Sequence, residues 1–203
     1  MAKRIPVLSL RPTQMALGML EVRERVKELS RLDGGGLKRS VRKSEISVVI
    51  APDKGAYVVD GHHHAYAFWS VGVKKVYFRV LKDYSATSLS HGGFWKKMRA
   101  NGWAHLYDQF GHGPRDPVYL PDDVRGMSDD PYRSLAWLVE RENGFERSPA
   151  PFAGFRWAAF FRRRRLLHDR FVRDFEAVLP RAIKAARSRA ARRLPGFLGS
   201  RKK

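Results

Sequence analysis

Apolar residues near the start of the chain recur at steps of three and four, which is the period of a helix. The positions are Met15, Met19, Val22, Val26 and Leu29. This spacing predicts a helix from about Gln14, capped by Thr13 and ended by the glycines at 34–36. A short strand is expected before it, at residues 7–10, so the opening is predicted to be strand then amphipathic helix.

Apolar runs rich in β-branched residues come next and change the predicted element. Residues 47–51 (SVVIA) and 57–59 (YVV) flank a Pro-Asp-Lys-Gly turn, which predicts an antiparallel hairpin. Residues 75–81 (KVYFRVL) predict a further strand. Between them, residues 62–71 predict a helix that Gly72 ends. The chain therefore passes from a strand through Asp60-Gly61 directly into a helix.

The rest of the chain predicts helices. One carries Phe94, Trp95 and Met98 on its apolar side, and a second begins after Asp130. An apolar stripe from Phe155 to Leu179 predicts a single long helix that Pro180 breaks. We therefore predict an α+β fold in three parts. These are a sheet-and-helix core at 1–84, a helical part at 85–179 that completes the domain, and a basic extension at 180–203.

Composition narrows the class of protein. The chain is 43% hydrophobic and 12% aromatic, which excludes a disordered chain, and it has no cysteine for disulfides, thiolate metal sites or thiol nucleophiles. No apolar run approaches the ~20 residues of a membrane span, and the N-terminal residues lack the apolar region of a secretion signal. The sequence predicts a cytoplasmic protein with no membrane partner.

Charge points to the class of partner. The net charge is +20, and residues 154–203 hold 16 basic and 3 acidic side chains. Such a field attracts polyanions, so nucleic acid or a nucleotide is the expected partner, although a solvated basic face is the simpler alternative. The candidate nucleic-acid-binding residues are Arg162, Arg163, Arg165, Arg181, Lys184, Arg187, Arg189, Arg192 and Arg193.

The turn after the second hairpin strand is the strongest candidate for chemistry. A strand that ends in Asp60-Gly61 and opens a helix presents backbone N–H groups and a positive dipole end to an anion. Gly61 lets a phosphate approach, and His62, His63 and His64 offer donors or proton carriers. Successive helical side chains diverge by about 100°, so at most two histidines serve one ligand. An ordinary capped turn would look the same in sequence.

Four motifs in order resemble one known group of proteins. VVDGHHHAYAFWSVG resembles the glycine-histidine motif of the ParB/sulfiredoxin-like superfamily. LRPTQMALGMLEVRERVKEL, DDPYRSLAW and PFAGFRWAAFFR resemble the motifs of its ParB-like nuclease subfamily. The resemblance covers roughly residues 7–175. It implies a small ParB/sulfiredoxin-like core of sheet and helices, followed by a helical C-terminal part.

The resemblance also implies phosphate chemistry at the turn. Relatives bind nucleotide phosphates there, and they include nucleoside triphosphatases, ATP-dependent sulfiredoxins and a free-serine kinase that uses ADP. Carried over, Asp60, Gly61, His62 and His63 form the phosphate turn, and His64 is a further candidate. Asp60, His62 and His63 are the candidate catalytic residues. A nuclease or a nucleotide phosphohydrolase is the expected function. The alternatives are a non-catalytic nucleic-acid binder that uses its basic C-terminal helices, and a small-molecule kinase.

A carboxylate base and a metal complete the expected site. Glu21 is the best-placed carboxylate of an acidic stripe with Glu24 and Glu28, a stripe that a solvated helix side would also explain. A nucleotide and a divalent metal such as Mg²⁺ are the expected cofactors, with Asp60 and His62 as possible metal ligands. The absence of cysteine excludes the sulfiredoxin reaction.

Two positions depart from the pattern of the relatives. Arginine usually stands where this chain has His64, and an acidic residue usually stands where it has Gly154. A histidine with an ordinary pKa is mostly neutral at pH 7, so His64 weakens the expected affinity for phosphate. Gly154 puts in doubt any catalysis that depends on the acidic residue.

Overall fold

The computed structural model describes residues 3–167 and 174–199. The chain folds into two compact units, Met1–Asp129 (unit 1) and Asp130–Lys203 (unit 2). Within the described residues, every strand lies in unit 1, whereas helices occur in both units. No helix in this part of the chain is both long and apolar enough to cross a membrane. The α+β fold class predicted from the sequence is confirmed.

Unit 1 is built on a mixed sheet. Its strands are β1 (Arg4–Pro6), β2 (Leu10–Arg11), β4 (Ile46–Ile50), β5 (Ala56–Asp60) and β6 (Lys75–Asp83). The strand order is β1-β6-β4-β5-β2. β4 and β5 are antiparallel, which confirms the predicted hairpin, and β6 runs parallel to β4. Two short strands, β3 (Ala16–Leu17) and β7 (Ser128–Asp129), pair in parallel as a second sheet.

Four helices cover the two faces of the main sheet. They are α1 (Met19–Ser30), α2 (Gly34–Lys43), α3 (His62–Ser70) and α4 (His91–Ala100). Val48 and Val58 are fully buried on one face, with Phe68 of α3. Val49 is buried on the other face, with Trp95 of α4. Because neighbouring residues of β4 are buried on opposite faces, this strand reads as a continuous apolar run.

The start of unit 1 differs from the sequence prediction. Residues 7–9 form a 3-10 turn, so the expected strand is reduced to β2. α1 begins only at Met19, because residues 12–18 are a buried segment held by distant partners. Thr13 does not cap a helix, and its hydroxyl donates to the carbonyl of Val58. The glycines at 34–36 do not end α1 but open α2, whose Asp33 cap accepts from the N–H of Gly36 at 2.6 Å.

The described part of unit 2 contains three α-helices around an aromatic core. They are α5 (Pro131–Arg141), α6 (Ala153–Arg163) and α7 (Phe175–Ala186). Trp157 is fully buried, and its ring stacks on Phe145 with centroids 4.1 Å apart. Its indole N–H donates to the carbonyl of Pro195 at 2.8 Å. The prediction that Trp157 is a core residue is confirmed.

The predicted long helix from Phe155 to Leu179 is wrong. α6 ends at Arg163, and Arg165 has a φ of 49°, a left-handed conformation that cannot continue a helix. Phe171 of the predicted stripe lies outside the described residues. The predicted break at Pro180 is also wrong, because this residue lies inside α7. Val178 and Ala182 on either side of it are buried in the core, and this packing outweighs the lost backbone hydrogen bond.

Candidate functional site

The predicted passage from strand through glycine to helix is present at the end of β5. Gly61 has a φ of 98°, the left-handed region that favours glycine. A Cβ atom at this position would also lie 2.7 Å from Cδ1 of Ile46. The pairing of β4 with β5 is irregular between Ser47 and Val48, next to the turn. The backbone conformation therefore favours glycine here, and a larger residue would also displace the Ile46 side chain.

His62 is buried beneath the turn. Its Nε2 accepts a hydrogen bond from the N–H of Thr13 at 3.1 Å, which places the ring proton on Nδ1. Burial, with a smaller contribution from the neighbouring His63, lowers the pKa of His62 to about 3. The imidazole is therefore neutral near pH 7. It anchors the segment before α1 to the start of α3.

His63 is brought together with the predicted carboxylate Glu21. The distance from His63 Nε2 to Glu21 Oε2 is 3.4 Å, and both side chains are largely buried. The N–H of Gly18 also lies 3.4 Å from Nε2. These two contacts need opposite protonation of Nε2, since it donates to the carboxylate but accepts from the amide. The contact with Glu21 is an ion pair only when His63 is protonated.

Arg25 fixes the orientation of Glu21. Its Nη2 and Nε donate to Oε1 at 2.8 and 3.2 Å, while Oε2 faces His63. The two residues are four apart on α1, a spacing that brings their side chains together on a helix. This spacing is a signal that the sequence analysis missed.

Asp60 and His64 have different surroundings from the His63–Glu21 pair. Asp60 is exposed, and its Oδ1 accepts from the N–H of Gly61 at 2.9 Å. His64 is half-buried, with its ring 6.0 Å from that of Phe68 on the same helix. The three consecutive histidines therefore have three separate environments, as helical spacing requires.

The possible metal ligands do not form a closed ligand set. In residues 3–167 and 174–199, no group of three or more His, Cys, Asp or Glu side chains is arranged to hold a metal ion. Nε2 of His62 already accepts from Thr13, whereas Asp60 is exposed at the turn. Of the two, only Asp60 presents its donor atoms at the surface.

The buried segment before α1 is the main feature that sequence reasoning missed. Backbone N–H groups of Thr13 and Gly18 contact the two histidines, and Asp129 Oδ1 accepts from the N–H of Met19 at 3.0 Å to cap α1. The only signal in the sequence was the resemblance of this stretch to a family motif. Any residue type other than proline can supply such a backbone N–H group, so these contacts cannot be predicted from a pattern of residue types.

The basic residues of unit 2 divide into exposed and paired ones. Arg162 is paired, since its Nη2 donates to buried Asp130 at 2.6 Å and its guanidinium lies over the Tyr132 ring. Arg187 donates to the carbonyl of Asn143. The exposed candidates are Arg163, Arg165, Arg181, Lys184, Arg189, Arg192 and Arg193.

Gly154, the second departure from the family pattern, has a packing explanation. A Cβ atom there would lie 2.6 Å from Cζ of Arg133. The glycine makes room for this guanidinium against α6, where it also lies 5.6 Å from the Phe155 ring centroid.

Comparisons with known proteins agree with this architecture. The model of the family described as "Putative ParB-like nuclease" matches residues 3–163. The crystal structure of protein Atu1540 from Agrobacterium tumefaciens is similar over 98% of this chain and 98% of that chain, with 33% sequence identity and a TM-score of 0.87. No curated protein matches the chain.

Proposed function

The chain belongs to the ParB-like nuclease family, and from this premise we propose that unit 1 hydrolyses a phosphodiester or phosphoanhydride bond at the turn of Asp60, Gly61, His62 and His63. The observation that carries the proposal is the contact between His63 Nε2 and Glu21 Oε2 beside the start of α3. A histidine backed by a carboxylate is a common general acid–base pair.

In this proposal His63 moves the proton and Glu21 supports it. We assign the imidazole of His63 as the group that takes a proton from the attacking water. The imidazolium that forms is stabilised by the charge of Glu21, whose orientation Arg25 fixes. Proton transfer by a positioned side chain contributes about 10²–10⁴-fold to a rate.

The start of α3 would bind the phosphate. The first turn of a helix has N–H groups without intrahelical partners, and no side chain caps α3 at Gly61. Mg²⁺ in such sites is held mainly by substrate phosphates and one or two carboxylates, where it neutralises charge on the phosphate. Asp60 is the exposed carboxylate of this turn.

His62 has a positioning role in this scheme. Its neutral ring connects the N–H of Thr13 to α3, so it holds the wall of the site rather than the phosphate.

Substitutions in the pair test the proposal. Glu21→Gln and His63→Gln should each lower hydrolysis by about 10²-fold. The substrates are bis(p-nitrophenyl) phosphate, labelled DNA and RNA, and nucleoside triphosphates, with and without Mg²⁺. Glu28→Gln, an exposed carboxylate on the same helix, is the matched control and should keep full activity.

The same assays separate the alternatives. Phosphate transfer from a nucleotide to free serine would indicate a kinase. Circular dichroism checks that both variants are folded. If both folded variants hydrolyse the substrates at the wild-type rate, the catalytic site is not the His63–Glu21 pair.

Non-catalytic nucleic-acid binding is the second candidate function. It is favoured by the exposed cations of unit 2, among them Arg181, Lys184 and Arg189. Absence of hydrolysis on every substrate, together with salt-dependent binding of DNA or RNA, would support it.

A further inference from the structure

Unit 1 contains an open cleft that lies apart from the histidine turn. The cleft has a volume of about 680 Å³ and adjoins the amino end of β5, whereas the Asp60-Gly61 turn follows the carboxyl end. None of residues 60–64 lines it. Its volume is in the range of small-molecule pockets, about 300–1,000 Å³.

Arg11 lies at the cleft, and the hydrogen bonds of its guanidinium use only one of its nitrogens, Nη1. Its Nη1 donates to Asp53 Oδ2 at 2.5 Å and to the hydroxyl of Tyr57 at 3.2 Å, which uses both hydrogens of that nitrogen. The guanidinium carbon lies 5.5 Å from the Tyr57 ring centroid. Within the described residues, Nε and Nη2 make no hydrogen bond. This remaining edge has the geometry that binds a carboxylate or phosphate through two parallel hydrogen bonds.

His91 adds a second donor. The indole N–H of Trp95 donates to His91 Nε2 at 3.0 Å, which places the imidazole proton on Nδ1. Trp95 also contacts Tyr57 edge to face, with ring centroids 5.3 Å apart. The arginine and the histidine are therefore oriented by one aromatic cluster.

One part of the lining is apolar. It consists of Pro117, Val118, Leu120 and Pro121, and Val118 is 72% exposed. Asp53, Lys54 and Asp122 also line the cleft, and Asp53 is neutralised by Arg11.

Gly55 leaves the space that the Arg11 guanidinium occupies. A Cβ atom at Gly55 would lie 2.8 Å from Nη1 of Arg11. A larger residue at Gly55 would therefore displace the guanidinium of Arg11.

We propose that this cleft binds a small organic oxyanion, a carboxylate or a phosphate monoester on an apolar body, with the Nε–Nη2 edge of Arg11 binding the oxyanion. His91 Nδ1 donates to the same group, and the apolar part of the lining contacts the body of the ligand. This site is independent of the chemistry proposed at the histidine turn.

Four small probes test the proposal on the full chain. Benzoate and phenyl phosphate share an apolar ring and differ in the oxyanion, benzyl alcohol lacks the charge, and inorganic phosphate lacks the ring. Binding is followed by the ¹H–¹⁵N signal of the Trp95 indole, assigned with Trp95→Phe. We expect saturable shifts with benzoate, phenyl phosphate or both, and at least tenfold weaker binding of benzyl alcohol and inorganic phosphate.

Variants assign the binding to Arg11. Arg11→Gln should weaken it at least tenfold, whereas Arg115→Gln should not change it. Arg115 is a matched control, because it is similarly exposed and pairs with Asp108 at 2.7 Å. Gly55→Ala keeps the arginine but displaces its guanidinium, so it should also weaken binding. This variant replaces Arg11→Gln in the test if Arg11→Gln does not fold.

Several results would overturn the proposal. These are benzyl alcohol binding as tightly as benzoate, inorganic phosphate binding as tightly as phenyl phosphate, equally weakened binding in the Arg11 and Arg115 variants, or no saturable shift with any probe. A short oligonucleotide that shifts Trp95 at lower concentration than phenyl phosphate would assign the cleft to nucleic acid instead.

Discussion

Units 1 and 2 are both basic but use their charges differently. Unit 1 has 21 basic and 13 acidic residues, and unit 2 has 19 and 7. In unit 1, Glu21 and His63 beside the histidine turn are largely buried and lie against each other. In unit 2 most of the candidate cations are exposed. Acid–base chemistry needs groups held in one geometry, whereas attraction of a polyanion needs only exposed charge.

Adjacent residues within unit 1 show the same contrast at smaller scale. His62 is a buried neutral acceptor, whereas His63 contacts the carboxylate of Glu21. Arg162 and Arg163 of unit 2 form a parallel case, one paired with buried Asp130 and the other exposed. Residue type alone therefore does not assign a role.

Trp157→Ala should have the largest effect and should break unit 2 alone. Loss of a buried tryptophan costs about 3–5 kcal/mol of unfolding free energy. Hydrogen exchange with mass spectrometry should show reduced protection in α5, α6 and α7 and unchanged protection in β4 and β5. An equal reduction in both sets would show that the two units unfold together.

Acid should destabilise unit 1 through His62. Its pKa is lowered to about 3 in the folded protein against an ordinary value near 6.5, so only the unfolded chain binds this proton between those values. Stability should therefore fall as the pH drops below about 6.5, by up to about 1.4 kcal/mol per pH unit. Urea denaturation between pH 7 and 4.5 should show a shallower dependence in His62→Gln. Parallel curves for the two proteins would contradict the buried neutral state.

Neutralising exposed cations should show whether nucleic acid binds to unit 2 or to α2 of unit 1. Changing Arg181, Lys184, Arg189 and Arg192 to Gln should weaken duplex binding and reduce the log–log salt slope by about 0.9 for each phosphate that the protein no longer neutralises. The matched variant changes four exposed cations of α2, which are Lys38, Arg39, Arg42 and Lys43.

Fluorescence anisotropy at several salt concentrations measures both slopes. A larger change in the α2 variant would move the nucleic-acid surface to unit 1. Truncation after Leu179 is unsuitable for this test, because it removes buried Ala182 and Ala186 of the core.

Arg25→Gln should have the smallest effect on stability. An i,i+4 ion pair contributes about 0.2–0.5 kcal/mol, and Arg25 is partly exposed. Urea denaturation should show a decrease within that range, with Arg23→Gln as the control on the same helix. A decrease several times larger would mean that buried Glu21 depends on this single partner.

The sequence by itself determined the α+β class, the hairpin and the strand-glycine-helix turn. These follow from local patterns, since alternation, turn residues and glycine act over a few positions. Three predictions from the sequence were wrong: the helix start at Gln14, the helix break at Pro180 and the single long helix. At each of these places the backbone conformation depends on packing or hydrogen bonds with distant residues, which override local propensity.

Only the tertiary structure decided how the side chains of the turn are buried and paired. Thr13 reaches His62 across 49 positions, and Glu21 reaches His63 across 42. Helical periodicity places Glu21, Glu24 and Glu28 on one stripe, but it does not show which of them faces α3. Burial and pairing set the protonation of each group, and both are properties of the folded surroundings rather than of the residue.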